Sequence, residues 1–147
     1  MFSKVGALLA DKGREVYSVA PSDSVARAAE EMSRHNVGAA VVLEQDRLAG
    51  IVTERDLLRK VVAGKRDAAS TTVSDVMTRD VVALGLDDDL EEALALVHAR
   101  HIRHLPVVAD GQVVGLVTSG DLTRWAVRDR TVQLDILMES GQREFPL

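Results

Sequence analysis

The sequence predicts an α/β (α+β) fold in which one strand-helix-strand-strand-helix unit is used twice. Three observations carry this. The segment Gly50-Ile51-Val52-Thr53-Glu54-Arg55-Asp56-Leu57 recurs as Gly115-Leu116-Val117-Thr118-Ser119-Gly120-Asp121-Leu122. The offset between the copies, 65 residues from Asp56 to Asp121, holds without a gap back to Val16 and Val81 and pairs Val25 with Leu90, Ala28 with Ala93, Val37 with Ile102 and Val42 with Val107. Within each copy the apolar residues pass from helical spacing to short continuous runs in the same order. An internal repeat of this kind makes each copy one supersecondary unit that buries its apolar face against its neighbour.

The elements follow in chain order. Val5, Leu8 and Leu9 predict a short leader helix that stops near Gly13, within a leader segment of residues 1–15. The first unit occupies residues 16–64. Val16 to Val19 reads as a strand, and Pro21-Ser22-Asp23 as a turn and helix start. Val25, Ala28, Ala29 and Met32 then mark one helical face. Ala39 to Leu43 is a buried strand, Leu48 to Val52 the next, and a helix runs from about Glu54 to Ala63. Residues 65–72 are the linker, and the second unit spans 73–128. It opens with a single helical turn, Val73 to Met77, followed by a strand at Val81 to Leu84. A helix carrying Leu90, Ala93, Leu94 and Val97 starts after three aspartates, whose charge suits the positive end of the helix dipole. A hairpin turns at Asp110-Gly111, and the last helix runs from Leu122 to about Arg128. The tail, 129–147, has no counterpart in the first unit; its apolar Leu134, Ile136, Leu137 and Met138 are expected to pack, as a helix.

Composition narrows the function. Hydrophobic residues make up 46% of the 147 but aromatics only 3%, so the core is built from Val, Leu, Ala and Ile. The net charge of −5 and the absence of a dense Lys/Arg run argue against nucleic acid. There is no cysteine, which excludes disulfides, thiolate metal sites and cysteine nucleophiles. No apolar run has membrane-span length and the first residues lack a signal-peptide core, so a cytoplasmic protein with no membrane partner is expected.

Thr53 and Asp56, repeated as Thr118 and Asp121, are the chemistry that the repeat duplicates. Each pair sits where a strand ends and a helix begins. Free N–H groups there favour an anion such as phosphate, and a Thr hydroxyl adds a hydrogen bond. An ionised Asp accepts through two oxygens and can hold both hydroxyls of a ribose. The same spacing is also the capping box, in which the two side chains satisfy the helix's own end groups. On the residues alone both readings stand. The second unit adds Arg100, His101, Arg103 and His104, suited to phosphate recognition or to complementing a helix C-terminus. In the first unit the positions of Arg103 and His104 hold Gly38 and Ala39, so the two sites are chemically unequal. His98, His101 and His104 are spaced by three, but the run crosses a helix end and no carboxylate completes a set, so no metal site is expected. No Ser-His-Asp set, phosphate-loop lysine or Gly-rich dinucleotide turn is present. A hydrolase would have only His101 and His104 as bases, and no enzyme is expected.

Taken in order and twice over, Val37 to Val42, Gly50 to Asp56, Val73 to Thr78, Arg103 to Val108 and Gly115 to Asp121 resemble a tandem pair of CBS domains (named for cystathionine β-synthase), also called a Bateman module. The resemblance covers Val16 to Arg128. It implies two β-α-β-β-α domains related by pseudo-twofold symmetry and a homodimer formed through their helices. It implies an adenosyl ligand: AMP, ADP or ATP, with S-adenosylmethionine or NAD(H) as further members of the class. Thr53 and Asp56 would mark a first site and Thr118 and Asp121 a second, with Thr on phosphate and Asp on ribose. Ala39 in one unit and Arg103, His104 and Pro106 in the other would wall the pockets, with Arg103 and His104 near phosphates. Adenine would lie against Val37 and Ile51 in one site and Ile102 and Leu116 in the other. The first unit departs from the pattern at Val41, where the second has Pro106, and lacks the basic pair, for which Arg55 or a partner subunit would have to compensate. The expected function is a regulatory, nucleotide-sensing module that signals to a separate effector protein by population shift. The alternative is a ligand-free interaction module whose Thr/Asp pairs are only caps. Under either reading the apolar helix positions Leu57, Leu58 and Val61 with Leu122, Trp125 and Ala126 are expected to be exposed for a partner.

Overall fold

A computed structural model of the chain describes residues 3–128. The tail positions Leu134, Ile136, Leu137 and Met138 lie outside the described residues. Helix α1 spans Val5–Lys12 and ends at Gly13, whose φ of 103° suits a residue without a Cβ. The first unit follows as β1 (Ser18–Val19), α2 (Val25–Arg34), β2 (Ala39–Glu44), β3 (Arg47–Thr53) and α3 (Glu54–Asp56), which runs on as a π-helical stretch, Leu57–Val62. The second unit comprises α4 (Val73–Val76), α5 (Leu90–Arg100), β4 (His104–Ala109), β5 (Gln112–Thr118) and α6 (Ser119–Arg128).

Local chemistry accounts for the boundaries. The Ser24 side chain caps α2 by accepting from the backbone N–H of Arg27. Both hairpins close through two residues at positive φ, Gln45 and Asp46 in the first and Asp110 and Gly111 in the second. That backbone twist matches the twist of the paired strands. Each hairpin carries a register shift at the same repeat position, between Val42 and Leu43 and between Val107 and Val108. The repeat thus preserves pairing irregularities as well as apolar spacing.

One expected element is missing. The strand expected at Val81 to Leu84 is a single parallel bridge, Leu84 to Val107. In the first unit β1 pairs with β2 at two positions, Ser18 with Val41 and Val19 with Val42, and the Val41 N–H donates to the Tyr17 carbonyl. Pro106 stands at the position of Val41 and has no N–H to give. The ladder therefore shrinks to the bonds from Leu84 N–H to Pro106 O and from Val108 N–H to Leu84 O, each 2.8 Å.

The two units have separate apolar cores, and each core is completed by the segment that leads into the other unit. Val5, Leu8 and Leu9 of α1 pack with Leu90, Leu105, Val117, Leu122 and Trp125 of the second unit. Val73, Val76 and Met77 of α4 pack with Val25, Ala28, Val42 and Val52 of the first. The exchange explains two glycines. A Cβ on Gly115 would lie 2.7 Å from Leu9 Cδ1, and one on Gly50 would lie 2.7 Å from the Thr78 carbonyl oxygen and 2.9 Å from Met77 Sδ. The sheets also meet directly, β3 against β5.

The expected exposed apolar faces are corrected in part. Val61, Leu122, Trp125 and Ala126 are buried and Leu57 is half-buried, because these positions face the cores. Among the described residues the exposed large apolar side chains are Leu58, Val62 and Val127, the last two being the same repeat position. No helix among the described residues is long and apolar enough to cross a membrane.

A Gly50→Ala substitution should destabilise the chain by about 1–3 kcal/mol, because a methyl there meets backbone that cannot move aside alone. Leu9→Ala should cost about 2–5 kcal/mol despite its place in a short leader helix. Chemical denaturation measures both; a change under about 0.5 kcal/mol for Leu9→Ala would mean that the leader is not part of the second core.

Candidate functional site between the two units

Both Thr/Asp pairs form capping boxes. Thr53 Oγ1 accepts from the backbone N–H of Asp56 at 3.2 Å, while Asp56 Oδ2 accepts from the Thr53 N–H at 3.0 Å and its hydroxyl at 3.1 Å. Thr118 Oγ1 accepts from the Asp121 N–H at 3.1 Å, and Asp121 Oδ2 accepts from the Thr118 N–H at 2.9 Å. The preceding strand is tied in identically, by Glu54 N–H to Gly38 O at 3.0 Å and Ser119 N–H to Arg103 O at 2.9 Å. Gly38 and Arg103 are therefore held beside the strand-to-helix turns, at matching places in the repeat.

The remaining partners of the two aspartates differ. Asp56 accepts from the Thr78 hydroxyl at 3.3 Å and pairs with Lys60 at 3.0 Å. Asp121 pairs with Lys12 of α1 at 2.5 Å and with Arg124 at 2.6 Å. Burial by itself raises the Asp121 carboxyl, but the Lys12 ammonium and the Thr118 N–H outweigh it and hold the group below its ordinary value. Its contribution to stability is thus present above the ordinary Asp range and is lost as pH falls through that lowered value.

A cavity of about 280 Å³ opens between the units. The first unit lines it with Gly38, Ile51, Thr53, Glu54 and Arg55. Thr78, from the segment after α4, and His101, Ile102, Arg103 and His104 complete the lining. His101 ends α5 in the left-handed region, φ 53°, which turns the chain and sets three basic residues, His101, Arg103 and His104, within four positions. A Cβ on Gly38 would stand 3.4 Å from both Glu54 Oε2 and His104 Nε2, so its absence leaves room for a carboxylate and an imidazole to approach one another. Burial lowers the His104 pKa and outweighs the opposing pull of Glu54; Arg103 pushes in the same direction as burial. At neutral pH His104 is uncharged.

Of the residues expected from the sequence, the structure brings Ile51, Thr53, Ile102, Arg103 and His104 to this cavity. The sequence grouped Arg103 and His104 with Thr118 and Asp121; in the fold they line the same cavity as Thr53 of the first unit. Asp56 does not line the cavity but bonds both threonines that do. Ala39 and Pro106 are buried in their strands. Val37 lines a neighbouring hollow of about 300 Å³ with Met32, Asn36 and Leu57, on the other side of Glu54. Leu116, Thr118 and Asp121 lie in the second unit, where Lys12 bonds the Leu116 carbonyl and Asp121. Glu54 was not anticipated, being the variable position within Thr-x-x-Asp. Thr78 was read as part of the second unit, and only the exchange of leaders places it in the first. Among the described residues no cluster of His, Asp or Glu is placed to hold a metal ion.

The family model of the CBS domain matches residues 11–63 and 73–128. The CBS domain-containing protein CBSX3, mitochondrial, of Arabidopsis thaliana is 39% identical over 120 residues, 78% of this chain and 58% of that protein. The chain thus spans little more than half the length of this relative. Among solved structures, the crystal structure of the CBS domain NE2398 superposes with a TM-score of 0.81 at 40% identity, covering 84% of this chain and 97% of the other. The CBS domain protein PAE2072 from Pyrobaculum aerophilum, complexed with AMP, superposes with a TM-score of 0.76 at 24% identity, covering 92% and 98%, and shares the fold. With two family matches in one chain and a β-α-β-β-α order in the first unit that the second repeats with its opening strand reduced to a bridge, the chain belongs to the CBS-domain family, as a tandem pair.

Proposed function

We propose that the chain is a nucleotide-sensing regulatory module that binds an adenosine nucleotide of the AMP, ADP or ATP type in the cavity between its units. The observation that supports this best is the composition of the cavity. Apolar Ile51 and Ile102 line it, one from each unit, and Arg55, His101, Arg103 and His104 line the same cavity. Apolar walls suit a base, and two arginines with two imidazoles suit phosphate. Thr53 and Thr78 add hydroxyls, and Asp56 behind them orients those hydroxyls. Because the walls come from both units, a bound ligand favours one arrangement of the units over others by its differential affinity. An effector protein would read that arrangement. The AMP held by the Pyrobaculum aerophilum protein is consistent with the same ligand class.

The module is proposed to act as a homodimer. Leu58 and Val62 lie four residues apart, and Val127 repeats the position of Val62. Apolar side chains this exposed on equivalent helices suit a twofold interface. The second reading, an interaction module without a ligand, is favoured by one observation: both Thr/Asp pairs are satisfied as caps, and no buried side-chain polar atom among the described residues lacks a partner.

Thermal melting with AMP separates the readings. Ligand at about a hundred times its dissociation constant should add about 2.7 kcal/mol to stability; no shift with any adenosine nucleotide would favour the interaction module. Arg103→Ala should weaken binding by about tenfold or more, since a hydrogen bond to a charged group contributes about 1.5–3 kcal/mol. Binding should also take up protons near neutral pH. Free His104 is neutral, and a phosphate beside it raises its pKa, so affinity should rise as pH falls from 7 to 6. Calorimetry in buffers of different ionisation enthalpy reads this uptake, and His104→Asn should diminish it; equal uptake in both proteins would remove His104 from the phosphate site. Replacing Leu58 and Val62 together by Asp should halve the mass measured by light scattering, and an unchanged mass would place the interface elsewhere.

A further inference from the structure

The leaders can be matched through their backbone bonds. Val5 N–H donates to Asp88 O and Gly6 N–H to Leu86 O; Val73 N–H donates to Asp23 O and Ser74 N–H to Pro21 O. Val5 therefore stands to the second unit as Val73 stands to the first. Continuing the match, Leu9 answers to Met77, each lying on its own glycine, and Ala10 answers to Thr78. Helix α4 stops at Val76, which frees Thr78 to form a bridge with Ile51. Its N–H donates to the Ile51 carbonyl at 2.8 Å, and its hydroxyl donates to Asp56 at 3.3 Å. Helix α1 instead runs on to Lys12, so Ala10 is helical and forms no such bridge. The matching acceptors are the Leu116 carbonyl and Asp121. Both are taken by one group, the Lys12 ammonium, at 2.9 Å and 2.5 Å.

The two arrangements differ in what a ligand would meet. Thr78 is held by backbone and forms a wall beside an open cavity. Lys12 reaches its acceptors on a flexible four-carbon stem. Asp121 is 6% exposed and already carries an ammonium and, through Arg124, a guanidinium. Lys60 also pairs with Asp56, but from the same helix, with its ammonium also on the Val76 carbonyl and away from the cavity lining. It does not stand where a ligand would enter.

We infer that Lys12 is an internal occupant of the second nucleotide site, so that the chain takes one nucleotide, in the first. The inference rests on the nucleotide reading above and assigns the leader helix a role in setting stoichiometry. A ligand that uses Asp121 must displace the ammonium, and this competition holds the second site closed.

Isothermal titration with AMP tests this on the whole chain. The unsubstituted protein should bind about one AMP per chain, and Lys12→Met about two. Adding Arg103→Ala to Lys12→Met should weaken the original site by about tenfold or more and leave the affinity of the new one unchanged. Two AMP per chain in the unsubstituted protein, or one in a cooperatively melting Lys12→Met protein, would overturn the inference while leaving the first site standing. Absence of binding in both proteins would overturn the nucleotide reading itself, and the inference with it. Should Lys12→Met fail to melt cooperatively, Lys12→Gln, which keeps a neutral donor, is titrated and the same outcomes decide.

Discussion

The reciprocal packing of each leader segment into the other unit's core is the constraint on which the rest of the structure depends. Each unit alone lacks part of its apolar interior. Leu9 fills the space over Gly115, and Met77 and Thr78 fill the space over Gly50. The exchange pins the units at both ends, brings β3 against β5, and sets Thr78 beside Thr53 and Asp56. A domain of this size is held by a core of modest extent, so these few contacts carry much of the coupling between halves.

That coupling gives the cavity its character. Each unit contributes an apolar residue and basic groups to its lining, and neither unit contains the site. A ligand there bridges the two units without new covalent or oligomeric machinery. The same geometry makes the halves unequal. Duplication would have produced two equivalent sites, yet α1 is one turn longer than α4, and Pro106 and Arg103 replace Val41 and Gly38. Small changes at strand ends and helix ends, rather than changes in the cores, separate one site from the other.

Much of the fold was legible in the sequence because the repeat fixes phase. The apolar runs at Ala39 to Leu43 and Leu105 to Ala109 announce strands, and Asp110-Gly111 announces a turn. The strand at Val81 failed for a reason also written in the sequence: Pro106 removes the N–H that would have extended the ladder. The exposed face was misjudged because Leu122, Trp125 and Ala126 share a stripe that serves equally well as core. Thr53, Arg103, His104, Ile51 and Ile102 stand out in the sequence one by one and line the cavity, but their grouping there was not legible. Sequence offset pairs Arg103 with its own unit, whereas the fold turns it toward the other. Lys12 was silent as well, since a lysine in the last turn of a helix is an ordinary complement to the dipole.

The most direct test of the central claim is a crystal structure of the chain grown with AMP. The base should lie between Ile51 and Ile102, with the phosphate on Arg103 and His104 and with Lys12 still on Asp121. Nucleotide bound elsewhere, or an empty cavity at saturating AMP, would contradict the assignment of the space between the units as a nucleotide site.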